Sequence, residues 1–320
     1  YGETANSCRL EECLLKASDM IGWKEKGMRT VMPDGKIRAR GVAMAMQGSS
    51  ISNCDVGSVT VKLSDEGTYH ITVGCTDMGT GCDTIIAQFA ADVLETPIDN
   101  ISVYGVDTDI SPYDSGSYAS STTYLTGMAA VKACEQLRER IIALAAVRMN
   151  KDASTLTFDG ENVIDESDGA KMSLFDIATA SMCNNEISLE VTYSHSSPVS
   201  PPPFMAACAE IEADPETGAI ELLDYTACVD CGTVVNTNLA RVQTEGGLLQ
   251  GIGMTLYEDI WYDERGKNLS NSFMQYKVPS RLDTDRIRVE FDSSYEPTGP
   301  FGAKSIGEIV INTPAPAIAD

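Results

Sequence analysis

Histidine is nearly absent from this sequence, as are long apolar runs and basic residues in excess. The two histidines, His70 and His195, are too few for a serine-type triad or a histidine-rich metal site. The longest apolar run, residues 141–147, is much shorter than the roughly 18 residues of a membrane span. The net charge of −24 argues against nucleic acid and anionic membranes as partners, because both are bound mainly through lysine and arginine. We therefore expect neither partner.

The chain of 320 residues is 43% hydrophobic, which is enough for a folded core and two lobes. Its N-terminal stretch has no basic start followed by an apolar core, so we expect a cytoplasmic protein. The ten cysteines are scattered, which favours free thiols over a disulfide framework. The one CxxC, Cys228 to Cys231, could be a redox pair or half of a metal site, although no second CxxC and no nearby histidine accompanies it.

Alternating and helical patterns predict mixed α/β structure. The first lobe has strands over about 58–63 and 68–74, a helix beginning with Asp83 as its N-cap, and a long helix over about 126–149. Residues 206–232 repeat the hairpin design, and a second helix follows. The stretch SHSSPVSPPPF connects the lobes, because its prolines exclude helix and central strand. We predict an N-terminal segment and two similar α/β lobes, with the ranges 1–40, 41–200 and 201–320.

The stretch GCTDMGTGCDT, residues 74–84, places three glycines between a strand and a helix. Their amides could hold a ligand at the start of the helix, or the stretch could be a plain tight turn. The spacing fits neither a dinucleotide fingerprint nor a P-loop with its lysine. A hydroxyl-rich stretch, 107–127, is either a solvated loop or part of the same site.

Two later stretches carry candidate chemistry. Residues 241–253 place four glycines in a helical run, which indicates very close packing or backbone that meets a ligand, with Gln243 as a plain helix residue or an amide that faces a heterocycle. Glu308 follows GPFGAKSIG and is flanked by Ile306, Ile309 and Val310. Burial beside those side chains would raise its pKa toward that of a general base; the alternative is a surface glutamate.

Taken together, these stretches resemble the xanthine oxidase family of molybdenum hydroxylases. The similarity lies in GCTDMGTG, DTDISPYDSGSYASSTTYLTG, EIEADPETGAIELLDYTACVDCGTVVN, QTEGGLLQGIG, SFMQYKVP and, most specifically, GAKSIGE. It covers about residue 40 to the end and corresponds to the second half of the molybdopterin-binding subunit. The resemblance therefore implies a molybdopterin-binding fold of two α/β lobes.

The resemblance implies Glu308 as the catalytic base. It places Ala119 beside the metal, where a larger side chain would block the substrate, and it implies no protein ligand, because pterin dithiolene sulfurs hold the molybdenum. Thr80 stands where relatives commonly have glutamine, which puts one pterin hydrogen bond in doubt. The cofactor-binding positions implied are Gly79, Thr80, Gly81, Ala119, Ser120, Ser121, Thr122, Gln243 and Gly307.

The similarity is strongest to nicotinate-hydroxylating members whose molybdopterin-binding part is divided between two polypeptides. It implies molybdopterin cytosine dinucleotide with a terminal sulfido or selenido ligand on molybdenum. It also implies a large molybdopterin subunit, [2Fe–2S] and FAD subunits that pass electrons to NADP, and a dimer of heterotetramers. The substrate expected is a small aromatic molecule, nicotinate.

Three alternatives remain open on the sequence. The same machinery could act on an aldehyde, a purine, carbon monoxide or an aromatic thioester. The chain could be a structural subunit that has lost catalysis, although it retains Glu308, Ala119, Ser120 and Gln243. A carboxylate-based hydrolase is a remote third reading, because no pair of acidic residues stands out by spacing.

Overall fold

The computed structural model describes residues 4–183, 189–280, 282–283 and 286–320. They form two compact units. Unit 1 contains the chain up to Ser49 together with Pro201–Pro297 and Phe301–Asp320, and unit 2 contains Ser50–Ser200 with Thr298–Pro300. The elements in chain order are α1 Leu10–Ile21, α2 Trp23–Lys26, β1 Arg29–Val31, β2 Ile37–Met46, β3 Gly57–Leu63, β4 Tyr69–Val73, α3 Cys82–Leu94, β5 Ile101–Tyr104, α4 Gly127–Met149, β6 Leu156–Phe158, β7 Asn162–Asp165, β8 Lys171–Ser173, α5 Leu174–Cys183, β9 Glu190–His195, β10 Phe204–Ala213, β11 Ile220–Asp230, α6 Thr237–Leu256, β12 Ile287–Phe291 and α7 Pro314–Ala319.

Unit 1 is built on a five-stranded sheet in the order β1-β2-β10-β11-β12. All neighbours are antiparallel except β11 and β12, which run parallel because α6 carries the chain back between them. Helix α1 covers one face through Cys13, Ala17 and Ile21, which are buried against Cys208 and Cys228. Helices α6 and α7 cover the other face. Two apolar layers therefore sandwich this sheet.

Unit 2 is built on a four-stranded sheet in the order β5-β4-β3-β9. Strands β3 and β4 form a hairpin, β5 runs parallel to β4, and β9 pairs antiparallel with β3. Helices α3 and α4 pack on the sheet and bury residues such as Ile86, Phe89 and Leu137. A small sheet of β6, β7 and β8 adjoins the same core, together with α5.

The two units share one arrangement: an antiparallel hairpin, then a helix, then a strand parallel to the second strand of the hairpin. In unit 2 this is β3-β4-α3-β5, and in unit 1 it is β10-β11-α6-β12. The predicted mixed α/β class and the repeated hairpin and helix are confirmed.

The division of the chain differs from the one expected at residue 40. Residues 1–40 are not a separate segment, because α1 packs on β10 and β11, and β2 pairs with β10 along its full length. The sequence pattern missed α1, α2, β1, β2, β8, β9, β12 and α7. No helix among the described residues is long and apolar enough to cross a membrane.

Candidate functional site

The glycine corner of unit 2, residues 74–81, joins β4 to α3. Asp77 closes it, because its Oδ1 accepts hydrogen bonds from the N–H groups of Gly79 at 2.9 Å and Gly81 at 3.1 Å, and its Oδ2 accepts one from Asp83 at 3.5 Å. The predicted N-cap Asp83 is wrong: α3 begins after Gly81, whose φ is +76°, and Asp83 lies inside the first turn. The amides expected to cradle a ligand are thus held by a carboxylate, with which a ligand would compete.

The electrostatics of this corner follow from that carboxylate. Partial burial works against ionisation of Asp77, but the hydrogen bonds from Gly79, Gly81 and Asp83 outweigh it and lower its pKa. Partial burial, and then the charge of Asp77, raise the pKa of Asp83. Asp77, Cys82 and Asp83 bring possible metal ligands within 4.8 Å of one another, the one such group found in the described part of the chain. Because backbone amides already occupy both oxygens of Asp77, we assign no metal there.

The hydroxyl-rich loop, residues 107–127, packs directly on the glycine corner. A Cβ at Gly74 would lie 2.4 Å from the carbonyl oxygen of Pro112 and 2.5 Å from Cβ of Asp114, so only glycine allows this approach. Asp114 fastens the loop: its Oδ2 accepts from the Thr126 hydroxyl at 3.0 Å, and its Oδ1 accepts from the N–H of Gly116 at 2.8 Å. Two of the predicted site segments therefore lie side by side in unit 2.

The backbone of this loop is strained at the predicted cofactor positions. Ala119 and Ser120 both have left-handed conformations, with φ of +51° and +57°. Residues other than glycine rarely adopt this region, and such strain gathers at functional sites. Thr122–Thr126 then form a short π-type helix before α4, another feature often found at functional sites.

The hydroxyls of the same loop differ in their partners. Ser121 is buried, and its hydroxyl donates to the carbonyl oxygen of Gly116 at 3.0 Å. The Oγ1 of Thr122 is buried and has no hydrogen-bond partner among the described residues. A buried hydroxyl without a partner costs about 1–3 kcal/mol, so this atom is suited to a ligand group that would satisfy it.

In unit 1, the GAKSIGE segment is anchored by a buried ion pair. Nζ of Lys304 lies 3.0 Å from Oδ2 of Asp230, and neither side chain is accessible to solvent. Asp230 also accepts from the N–H groups of Gly232 at 3.0 Å and Arg9 at 2.9 Å, and from the Ser294 hydroxyl at 2.7 Å. The Lys304 ammonium stands 5.2 Å from the centre of the Phe204 ring. One ion pair thus ties the segment to the end of β11 and to the start of α1.

The backbone around Lys304 is also fixed. Phe301 and Gly302 are both left-handed, with φ of +49° and +85°. The N–H of Lys304 donates to the carbonyl oxygen of Cys231 at 2.8 Å. Ser305 is buried: its N–H donates to the Ser49 hydroxyl at 3.1 Å, and its own hydroxyl donates to the carbonyl oxygen of Gly48 at 3.1 Å.

Glu308 is exposed, which agrees with the surface glutamate among the two alternatives and not with the partly buried one. Its neighbours Ile309 and Val310 are fully buried and turn into the core, which leaves the glutamate outside. The backbone on both sides of Glu308 is nevertheless held, because Ser305 is hydrogen-bonded and Val310 packs against α6. The Glu308 carboxylate is therefore accessible, and the backbone that carries it has a defined position.

Helix α6 contacts this segment through its glycines. A Cβ at Gly247 would lie 2.1 Å from Cγ2 of Val310, and one at Gly251 would lie 2.6 Å from Cγ of Pro314, which confirms the predicted close packing. Gly246 has open space beside it. Gln243 is half-buried one turn before Gly247 and so lies on the face of α6 that meets the segment carrying Glu308. Gly307, also half-buried, completes the predicted positions in unit 1.

The CxxC is not a paired site. Cys228 is buried with Cys13 beneath α1, whereas Cys231 belongs to the apolar core on the other side of the sheet. Strand alternation and the turn after β11 send the two thiols to different cores. Neither the redox pair nor the half metal site is therefore formed between them.

Sequence reasoning missed the three aspartates that organise the two corners, Asp77, Asp114 and Asp230. Asp77 could have been found, since an aspartate a few residues before a helix is a capping signal. Asp114 and Asp230 each accept one local hydrogen bond, from the residue two positions further on. Their other partners, such as Thr126 and Lys304, lie further along the chain, and no local pattern indicates those contacts.

The chain is similar to known proteins along most of its length. Residues 16–285 match the family described as "Molybdopterin cofactor-binding domain". The chain is 37% identical over 99% of its length to the probable hypoxanthine oxidase XdhD of Escherichia coli K12, and it covers 33% of that protein. It is 30% identical over 95% of its length to the gamma subunit of the 6-hydroxypseudooxynicotine dehydrogenase complex of Paenarthrobacter nicotinovorans, of which it covers 39%.

Solved structures share its fold. The reconstituted CO dehydrogenase of Oligotropha carboxidovorans superposes with a TM-score of 0.86 and 25% identity, over 98% of this chain and 42% of that one. Quinoline 2-oxidoreductase of Pseudomonas putida 86 gives a TM-score of 0.87 at 24% identity, over 99% and 43%, and so supports the fold alone. The chain spans about a third of the length of the first curated relatives.

Proposed function

We propose that this chain supplies part of the molybdenum site of a hydroxylase. The proposal starts from its family: the chain belongs to the molybdopterin cofactor-binding domain family of xanthine oxidase type. The observation that carries the proposal is the loop at Ala119–Thr122. Ala119 and Ser120 are consecutive left-handed residues of the loop that meets the glycine corner at Pro112 and Asp114, and the Thr122 hydroxyl is buried without a partner among the described residues. A polar ligand such as a pterin would satisfy that hydroxyl, so the residues present fit the cofactor.

The cofactor would be held mainly by backbone groups and hydroxyls. In unit 2 we assign this role to Gly79, Thr80, Gly81, Ser120, Ser121 and Thr122, with the small Ala119 leaving room for the metal. In unit 1 we assign it to Gln243 and Gly307. When bound, the cofactor supplies two-electron oxidation of a carbon centre with oxygen derived from water. We expect the cytosine dinucleotide form with a sulfido or selenido ligand, and we assign the [2Fe–2S] clusters and the FAD to partner polypeptides.

Glu308 is proposed as the general base. Its carboxylate is exposed, so it can accept a proton from the reacting group, and the backbone on either side is fixed, so its position is set before substrate arrives. Ser305 and the Lys304–Asp230 pair hold the segment that carries it. Glu308 is exposed in this chain, so we assign the exclusion of water around its carboxylate to bound substrate and partner polypeptides.

The substrate proposed is a small nitrogen heteroaromatic, and nicotinate is the first candidate, oxidised to 6-hydroxynicotinate with NADP as the final acceptor. The gamma subunit of the 6-hydroxypseudooxynicotine dehydrogenase complex and a nicotine 6-hydroxylase large subunit at 28% identity support this ring class. A second candidate is hypoxanthine, favoured by the 37% identity to the probable hypoxanthine oxidase. Turnover of the two by the native complex distinguishes them.

The test uses the native complex purified through this chain. We expect about one molybdenum per copy together with CMP released by acid. Glu308→Gln is expected to lower kcat about 10²- to 10⁴-fold with molybdenum content unchanged. Glu290→Gln, which alters an exposed glutamate on β12, is the matched control and should retain activity. Wild-type turnover by Glu308→Gln would remove the base role. Absence of molybdenum from a complex that keeps its partners would favour a structural subunit.

A further inference from the structure

Two thiols meet at the start of α3 in unit 2. Cys75 follows Gly74 at the end of β4, and Cys82 is the first residue of α3. The Cys75 thiol donates a hydrogen bond to the sulfur of Cys82, so the two side chains are in contact. Both cysteines are free and belong to the same core of unit 2. Two thiols in contact are the reactants of a disulfide.

The backbone holds this pair of thiols in place. The packing of the loop at 107–127 against Gly74 fixes the chain beside Cys75. The carboxylate of Asp77 accepts hydrogen bonds from two N–H groups of the turn before Cys82, at 2.9 and 3.1 Å. Because the fold already holds both ends of the turn, little conformational freedom remains to be lost when the sulfurs join.

The surroundings make the two thiols unequal. The hydrogen bond from Cys75 lowers the pKa of Cys82, and one from the Thr80 hydroxyl acts in the same direction. Burial and the charges of Asp77 and Asp83 oppose this shift without reversing it. The contact with Cys82, together with burial, raises the pKa of Cys75. Cys82 is therefore the nucleophile of the pair, and Cys75 is the thiol that reacts second.

Geometry gives the same order of reaction. The Sγ of Cys82 lies 3.8 Å from Oδ1 of Asp83, a carboxylate that can accept the thiol proton. Cys82 is 5% exposed and Cys75 1% exposed, and residues 76–79 of the turn between them are exposed. A small oxidant thus has access to Cys82 through this turn, whereas Cys75 is enclosed and reacts with its neighbour.

We infer that Cys75 and Cys82 form a dithiol that a peroxide oxidises to a disulfide across the glycine corner. The Cys82 sulfur attacks the peroxide, the O–O bond breaks, and one water leaves with the Cys82 proton. The Cys75 sulfur then attacks the resulting sulfenic acid. The S–O bond breaks as the S–S bond forms, and a second water leaves with the Cys75 proton.

The reaction balances with hydrogen peroxide as its only co-reactant. Two thiols and one hydrogen peroxide give one disulfide and two waters, so the sulfurs lose two electrons and the peroxide gains them. The product joins the end of β4 to the start of α3. This site goes beyond the proposed function and stands whether or not the corner holds a cofactor.

The first experiment uses the native complex purified through this chain, reduced, freed of reductant and treated with hydrogen peroxide. Remaining thiols are alkylated after denaturation, and tryptic peptides are measured by mass spectrometry. Cys75 and Cys82 are the only cysteines between Lys62 and Lys132, so one peptide reports the pair. We expect this peptide to lose two hydrogens and both alkylation sites, and dithiothreitol should restore them.

Two other thiols of unit 2 serve as references in the same digest. Cys54 is exposed and Cys134 is buried, and each lies in a tryptic peptide with no other cysteine. We expect the disulfide to form at least tenfold faster than peroxide removes either reference thiol, because neither mere exposure nor mere burial supplies a second sulfur. A pair that stays alkylated, or that is oxidised no faster than the references, would overturn the inference.

A variant separates the two steps of the reaction. In Cys75→Ser, Cys82 should accumulate as a sulfenic acid that dimedone traps, because the thiol that would displace the oxygen is gone. Cys134→Ser is the matched control and should form the disulfide at the wild-type rate. Absence of sulfenic acid from Cys82 in folded Cys75→Ser would contradict the assigned order. If Cys75→Ser does not fold, the wild-type peptide decides alone.

Discussion

The corners that follow the hairpins β3-β4 in unit 2 and β10-β11 in unit 1 are packed in a similar way but stabilised by different interactions. In each corner, a glycine lets a second segment come close. A Cβ built on Gly74 would lie 2.4 Å from the carbonyl oxygen of Pro112, and a Cβ built on Gly232 would lie 2.3 Å from the carbonyl oxygen of Gly302. The second segment carries a pair of consecutive left-handed residues in both cases, Ala119–Ser120 and Phe301–Gly302. In each unit, the segment with the left-handed pair follows the strand that runs parallel to the second strand of the hairpin.

The carboxylates at these corners differ. Asp230 is completely buried and paired with a buried lysine, which fixes the segment before Glu308. Asp114 holds its loop through hydroxyl and amide donors, and Asp77 is exposed and only caps a helix. The corner of unit 1, which we call the rigid corner, is fixed by an ion pair and suits a residue such as Glu308 that must be positioned. The corner of unit 2, which we call the open corner, is held by hydrogen bonds that a ligand can replace, and it suits ligand binding.

The largest effect is expected at the rigid corner. Lys304→Met leaves Asp230 buried without its cation, which should lower the free energy of unfolding by about 3–5 kcal/mol. Urea unfolding measures this. The double variant Lys304→Met with Asp230→Asn removes the uncompensated charge and keeps one acceptor oxygen, for the N–H of either Gly232 or Arg9, so it should recover part of the loss. If the two variants are equally unstable, the ion pair is not what holds this corner.

A smaller effect is expected at the open corner. Gly74→Ala forces a Cβ against Pro112 and Asp114, and overpacking of this kind costs about 1–3 kcal/mol. Gly105→Ala is the matched control in the same unit, because its Cβ would meet only Asp83 Oδ2, at 3.5 Å. Urea unfolding of both should show a loss for Gly74→Ala and a change within about 0.5 kcal/mol for Gly105→Ala. Equal stability of the two would show that the loop at 107–127 is not packed on this glycine.

Local sequence patterns predicted the parts of the molecule that local forces determine. Alternation and turn residues placed the β3-β4 and β10-β11 hairpins, and helical spacing placed α3, α4 and α6. Strand β2 was missed because its pairing partner β10 lies about 160 residues further along the chain, beyond any local pattern. The sequence also did not decide between a partly buried and an exposed Glu308, because apolar neighbours in sequence do not determine the direction in which a turn points each side chain. Likewise the Lys304–Asp230 pair spans 74 residues and is visible only in the fold.

The smallest effect tests whether the open corner is held by its cap. Asp77→Ala should cost about 1 kcal/mol at pH 7, because the N–H groups of Gly79 and Gly81 lose their acceptor. Folding lowers the pKa of Asp77 below its usual value near 3.8, so the stabilisation is present above that value and is lost as pH falls through the folded pKa. The stabilities of wild type and Asp77→Ala should therefore converge as the pH falls below the usual value near 3.8 and through the folded pKa. Asp77→Asn keeps an acceptor oxygen and should lose less at pH 7. A difference between wild type and Asp77→Ala that did not change with pH would mean that the carboxylate charge contributes nothing. The Asp77 side chain would then stabilise the glycine corner only as an uncharged hydrogen-bond acceptor, and a ligand would displace no charge on binding.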